Sequence, residues 1–224
     1  MRIINYEASR VTALFPLEEV LPLSGINDRE LIDAVTKRYG FLRSPDLAKD
    51  DIAKDGYKFA SGHFSFQNAV FIISEFSIFR DGLVVLAATT DGSEAFMDDV
   101  IEFTRRVFSF RDFETAPRRY FQSQIVVEFD RPPEKLLKTL SEITAAVSEP
   151  LSEIYGMEVP MEFARLDFDF DKMRSPNPAP QIVHRFIIER RLGVPFNKQR
   201  FFCAAPMRTE NHIEVLEKIE RLIR

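Results

Sequence analysis

The sequence predicts an α+β fold: antiparallel sheet covered by helices on one face, built as two pseudo-repeated β-α-β-β-β-α halves. Three observations carry this prediction. Residues 70–108 run strand, tight turn, strand and amphipathic helix, and residues 182–223 pass through the same order. A hydroxyl residue announces each of the two helices, Ser93 and Thr209. An alanine pair, Ala87-Ala88 and Ala204-Ala205, stands just before each of them. The expected halves are residues 1–115 and 116–224, joined as one unit with a shared core.

The first half begins with strand character over residues 9–15, ended by Pro16. Asn27 and Glu30 stand in capping-box relation, with Asn27 capping the helix and Glu30 reaching back. Leu31, Val35 and Tyr39 recur at four-residue spacing, which predicts a helix over about 28–39 that Gly40 stops. Ser44-Pro45 offers a second start, cap then proline, for a short charged helix fading by Gly56. From Tyr57 the period changes to two, and Phe64 and Phe66 alternate with polar neighbours. A second strand covers residues 70–80, and Asp81-Gly82 predicts a hairpin whose two central turn residues take positive φ. Residues 83–89 form an almost wholly apolar strand, as expected for a central position with both faces covered. Phe96, Val100, Phe103 and Val107 then lie along one helical stripe.

The second half repeats the plan. Residues 122–129 read as strand, Pro132-Pro133 ends it, and a helix over about 134–148 carries the stripe Leu136, Leu140, Ile143 and Val147. Pro150 should break or restart that helix. Residues 162–171 alternate strictly, with Ala164, Leu166, Phe168 and Phe170 on one side and Arg165, Asp167, Asp169 and Asp171 on the other. Residues 176–180 make a stiff proline loop. The next hairpin pairs residues 182–189 with 200–205 around a turn at Gly193-Val194-Pro195. Ile213, Leu216, Ile219 and Ile223 mark the last helix. This element order is similar to the duplicated arrangement of the TATA-binding-protein-like fold, in which two strand-helix repeats share one curved sheet. The similarity is one of topology, since no sequence motif of that family is matched.

Composition narrows the function. The chain has 224 residues, 22 Phe and no Trp, so large apolar rings without polar handles must fill a core or an interface. A formal charge of −5 opposes a protein whose main task is coating nucleic acid, because phosphate affinity needs an excess of Lys and Arg. The single cysteine, Cys203, forbids an internal disulfide and a cysteine-based zinc site, and its apolar run reads as buried strand. Residues 1–11 lack the apolar stretch of a secretory signal. The longest apolar runs, residues 69–73 and 83–88, are too short to span a bilayer. A cytoplasmic protein without membrane association is therefore expected.

Several kinds of chemistry lack their motifs. The glycines are too widely spaced for a dinucleotide fingerprint or a phosphate loop, and no G-x-S-x-G, H-E-x-x-H or C-x-x-C occurs. No cofactor is expected. His63, His184 and His212 are far apart in sequence; the first two fall on strands and His212 in the first turn of a helix, so each reads as structural before catalytic or metal-binding. The site-like features are three. Asp167, Asp169 and Asp171 share a strand face at a spacing of about 6.8 Å, so neighbouring carboxylates could converge on a divalent cation; the alternative is an edge strand charged for solubility. Arg105, Arg106, Arg111, Arg118 and Arg119 cluster within fifteen residues, and Arg190 and Arg191 flank the second hairpin turn. Such forks suit carboxylates, phosphates and interfaces, or simply pair with neighbouring acids. Phe196 beside Pro195 is either an exposed anchor for a partner or folds over its own hairpin.

The leading expectation is a non-catalytic interaction or adaptor protein, a subunit of a cytoplasmic assembly that binds a protein partner or itself. Two alternatives stand beside it. One is a nucleic-acid-binding module using an open sheet face, and the other a metal-dependent hydrolase built on the aspartate row.

Overall fold

The computed structural model describes residues 1–50, 52–67, 69–131, 138–159, 161, 163–169 and 185–223. The chain is mixed α+β with antiparallel sheet. Its strands are β1 (Arg2–Leu14), β2 (Tyr57–Phe66), β3 (Ala69–Phe79), β4 (Gly82–Ala87), β5 (Arg118–Glu128), β6 (Arg165–Phe168), β7 (Phe186–Arg190) and β8 (Arg200–Ala205). The helices are α1 (Leu17–Val20), α2 (Asp28–Tyr39), α3 (Ile52–Asp55), α4 (Thr90–Phe108), α5 (Lys138–Tyr155) and α6 (Thr209–Ile223). Two compact units divide the chain. One comprises Ala8–Ser123 with Met207–Thr209, the other Met1–Glu7 with Gln124–Pro206 and Glu210–Arg224.

In the first unit the strands lie in the order β2-β3-β4-β1, each pair antiparallel. Asn27 caps α2 by accepting from the Arg29 and Glu30 amides at 3.1 and 3.4 Å. Glu30 turns back as expected but meets the Asn27 side-chain amide, at 3.1 Å. Gly40 ends the helix in the left-handed region, φ 59°. Leu31, Ile32, Val35 and Tyr39 are buried, so the predicted stripe covers the sheet. Helix α4 lays down Phe96, Met97, Val100 and Phe103 beside it.

The core that results is aromatic. Phe96 meets Tyr39 edge-on at 4.7 Å between ring centres and Phe76 at 5.3 Å, with Phe41 and Phe64 around them. The Tyr39 hydroxyl donates to Asp99 at 2.6 Å, and Arg38 grips the same carboxylate at 2.8 Å, tying α2 to α4. Burial, then the hydrogen bond to Asp99, pushes the Tyr39 phenol well above its ordinary pKa.

Several local expectations shift. Strand β1 starts at Arg2, seven residues earlier than the polar opening of the sequence suggests. Residues 47–49 form a turn, and among the described residues from 45 to 55 only Ile52–Asp55 is helical. The reason is competition from side chains: Asp46 accepts from the Ala48 amide at 3.0 Å and Asp50 accepts from the Asp46 amide at 2.8 Å. The hairpin forms where Asp81-Gly82 places it, but Phe79 pairs with Gly82, so Arg80 and Asp81 make the turn. Gly82, φ 147°, instead opens β4 where a side chain would strike the Ala13 carbonyl oxygen of β1. Val107 is exposed, and burial along α4 stops at Thr104.

The helix start also moves. Thr89, not Ser93, caps α4, accepting from the Gly92 amide at 3.3 Å, while Ser93 sits inside the first turn and donates to the Thr89 carbonyl. Gly92 belongs there for space, since an added Cβ would strike the Phe71 ring. Helix propensity alone would have Gly92→Ala gain about 1 kcal/mol. The contact with Phe71 is expected to reverse the sign, to a loss of about 1–3 kcal/mol, measured by urea unfolding followed in the far ultraviolet.

In the second unit the strands lie in the order β5-β8-β7-β6, with β6-β7 and β7-β8 antiparallel. Its core is Ile125, Val127, Phe129, Ile188, Phe201, Cys203 and Leu216. Cys203 is buried as predicted, and burial raises its thiol pKa far above the usual range. His212 lies in the first turn of α6, where the sequence puts it, and is fully buried against Phe186. Helix α5 runs straight through Pro150. The proline deprives the Ala146 carbonyl of its helical donor, but Ala146 is exposed and water can serve it. Among the described residues β6 covers Arg165–Phe168 and β7 Phe186–Arg190, while residues 170–184, with the proline loop, Asp171 and His184, lie outside them.

Candidate protein-docking surface

Helix α5 is amphipathic, yet none of its described side chains is buried. At about 100° per residue, Ile143, Val147, Pro150 and Ile154 share one face within an arc of about 60°. That face is open: Ile143 is 54% exposed, Val147 41% and Ile154 74%. The stripe predicted to be core is therefore surface at Ile143 and Val147. The correction has a simple cause, since periodicity says which residues share a face and not whether another element covers it.

The flanks of the stripe differ. Glu142, Glu149 and Glu153 line one side, all exposed. On the other, the chain after α5 folds back along the helix. The Val159 amide donates to Ser152 Oγ at 2.9 Å and the Met161 amide to Ser148 Oγ at 2.8 Å. The returning chain brings exposed Met157 and Met161, flexible thioethers suited to irregular contact surfaces. Further along, Phe168 at the end of β6 is 55% exposed. Apolar residues rimmed by carboxylates, on a helix that the described residues leave without cover, suit contact with an amphipathic partner helix.

The residues singled out in sequence fall elsewhere. Asp167 lies on β6 and Asp169 just beyond it, and both are held by arginines. Arg165 reaches Asp167 at 2.9 Å, and Arg185 reaches Asp169 at 3.1 Å and Asp167 at 3.4 Å. A cation here would compete with two guanidinium groups for the same oxygens. Among the described residues no group of three or more His, Cys, Asp or Glu is placed to hold a metal. Arg105 pairs with Asp112 and Arg106 with Glu102. Arg119 engages Glu94 and Asp98, and Arg208 closes on the other side of Glu94 while lying 4.3 Å over the Phe121 ring. Arg118 is exposed at the start of β5. Arg190 donates to the Phe163 carbonyl at 2.8 Å and stacks over Phe201, and Arg191 meets Glu7 at 2.9 Å. Phe196 begins a 3₁₀ turn over Phe196–Lys198. The structure does not gather these groups into one site.

The signal that could have located α5 was present but read differently: three glutamates on one flank of an apolar stripe, with a proline inside the helix. No protein-family model and no curated protein matches this sequence. Among the described residues no helix is long and apolar enough to cross a membrane.

Proposed function

We propose that this chain is a non-catalytic protein-binding module, a component of a cytoplasmic assembly, which receives a basic amphipathic helix along α5. The observation that carries the reading is the open stripe of Ile143, Val147 and Ile154 beside Glu142, Glu149 and Glu153. Apolar area supplies the affinity, and the carboxylates select a partner rich in Lys and Arg. A second copy of the same face would set like charges against one another, which favours a different protein as occupant.

The proposal includes the internal duplication. Residues 1–115 and 116–224 are taken as pseudo-equivalent halves in the manner of the TATA-binding-protein-like fold. The orders β1-α2-β2-β3-β4-α4 and β5-α5-β6-β7-β8-α6 support this, as do the strand orders β2-β3-β4-β1 and β5-β8-β7-β6. So does a reciprocal contact in the first unit: the Thr90 amide donates to Thr209 Oγ1 at 3.0 Å, and the Thr209 amide to Thr90 Oγ1 at 2.9 Å. Thr90 and Thr209 each open the last helix of their half, so the contact joins matched positions of the proposed repeat. On this reading α2 and α5 are counterparts, and they differ in one respect. The first buries its apolar face and the second leaves it open, so the binding function sits where the repeat departs from its twin.

The test uses a designed peptide of Leu and Lys with helical amphipathic spacing. Binding to the whole chain, followed by fluorescence anisotropy of the labelled peptide, is expected to weaken as salt rises. The Ile143→Ser/Ile154→Ser double variant, which removes apolar area without adding charge, is expected to weaken it by at least about tenfold. Both positions are exposed, so the variant keeps its fold, which circular dichroism verifies. Equal affinity of variant and parent, or no binding by the parent, would sink the reading.

A further inference from the structure

We infer that the first unit also holds a binding site for a small uncharged apolar molecule, of the size of one aromatic ring, in the cavity beneath α1 and residues 109–113. The cavity measures about 120 Å³. An apolar protein cavity of about 150 Å³ stays dry and takes up benzene, so the space suits a ring or a short alkyl group. Its inner wall is Leu31, Phe76, Leu83 and Val100, from the buried faces of α2, the sheet and α4. Phe15 and Phe113, both on the lining, pack against each other edge-on at 4.8 Å.

The polar groups along the lining are what exclude a charged guest, because each is already engaged. Thr104 donates to the Ile101 carbonyl at 2.9 Å. Burial, and then the neighbouring Asp28 carboxylate, push the Tyr57 phenol pKa up to about 12. Arg105 is paired with Asp112. Arg111 spends its guanidinium on the Leu21 and Glu18 carbonyls, both at 2.8 Å, while its amide donates to the Val20 carbonyl at 2.7 Å. A water inside would lack the two to four partners that hold buried water in place. A carboxylate or ammonium group inside would give up its hydration to a lining that is almost wholly apolar, a cost a neutral ring does not meet. The Arg111 bonds also fasten residues 109–113 to α1 and make the roof of the cavity.

Toluene is the probe, with hexanoate as its charged counterpart. Toluene at several times its Kd is expected to raise the melting temperature of the whole chain by about 2–4 °C. It should also give intermolecular nuclear Overhauser effects to the methyl groups of Leu31, Leu83 and Val100. Hexanoate is expected to do neither. Val100→Phe, which fills the space, should abolish the toluene response; the wild-type Overhauser contacts stand as the independent readout if that variant does not fold. No shift and no contacts at saturating toluene, or contacts only to methyls outside the cavity, would overturn the site. A hexanoate response equal to that of toluene would overturn the uncharged class of ligand.

Discussion

Replacing Phe96 with alanine is expected to cost about 3–5 kcal/mol of stability, the largest effect of any single truncation argued from this structure. Phe96 is fully buried and sits among Tyr39, Phe41, Phe64 and Phe76, with ring centres 4.7–6.2 Å away. Those rings come from α2, the segment after it, β2 and β3, so a cavity at Phe96 opens between elements that cannot all move inward together. Val107, on the same predicted stripe, is 55% exposed, and Val107→Ala should lie within about 0.5 kcal/mol of the parent. The pair separates core from surface on one helix. The chain contains no Trp, so unfolding in urea is followed by far-ultraviolet circular dichroism. A loss at Phe96 no larger than that at Val107 would contradict the packing described.

Acidification gives the second large effect. Burial depresses the His212 pKa from 6.5 to about 4. In the unfolded chain this imidazole takes up a proton as pH falls through 6.5, whereas in the folded chain it stays neutral until pH approaches 4. The unfolded state therefore binds more protons across that window, and stability falls as pH falls. The contribution is complete above 6.5 and its full loss is about 3 kcal/mol. Other groups titrate over the same range, so the comparison is with His212→Gln, which lacks the proton site. The parent should lose stability more steeply than the variant between pH 6.5 and 4, and the two slopes should agree above pH 7. Parallel curves throughout would mean that His212 is solvated in the folded chain.

The elements legible in sequence are those whose causes are local. Asn27 and Gly40 bound α2 because a side-chain cap and a left-handed stop act on their own backbone neighbourhood. The β3–β4 hairpin, the buried run around Cys203 and the stripe of α6 are likewise properties of short stretches. The misplaced features depend on groups distant in sequence. Thr90 takes part in the start of α4 through Thr209, 119 residues away. Gly92 is where it is because of Phe71, and Gly82 because of Ala13. The roof of the cavity exists because Arg111 reaches back to carbonyls near residue 20. The helix expected from Ser44-Pro45 onward fails over residues 45–50 because carboxylates there, which can either cap a helix or replace it, bond the local amides instead.

The candidate site was less legible than the fold. The spacing of Ile143 and Val147 correctly puts them on one helical face. Whether that face meets protein or water depends on elements the spacing does not describe. The arginine cluster and the aspartate row drew notice because like residues crowd together in sequence, but in the folded chain Arg119 and Asp167 meet opposite charges. Alternation on a strand identifies a shared side; it does not reveal an arginine arriving from elsewhere in the chain, as Arg185 does from just before β7.

The central claim is that α5 presents an open apolar face, edged with carboxylates, to a basic helical partner. It is tested most directly by methyl-resolved NMR of the whole chain, Ile and Val labelled, during titration with the basic amphipathic peptide. The account requires the largest perturbations at the methyl groups of Ile143, Val147 and Ile154, with those of Ile125, Val127 and Ile188 in the core unmoved. Perturbations centred elsewhere, or none at peptide concentrations well above those that saturate the parent in anisotropy, would contradict it.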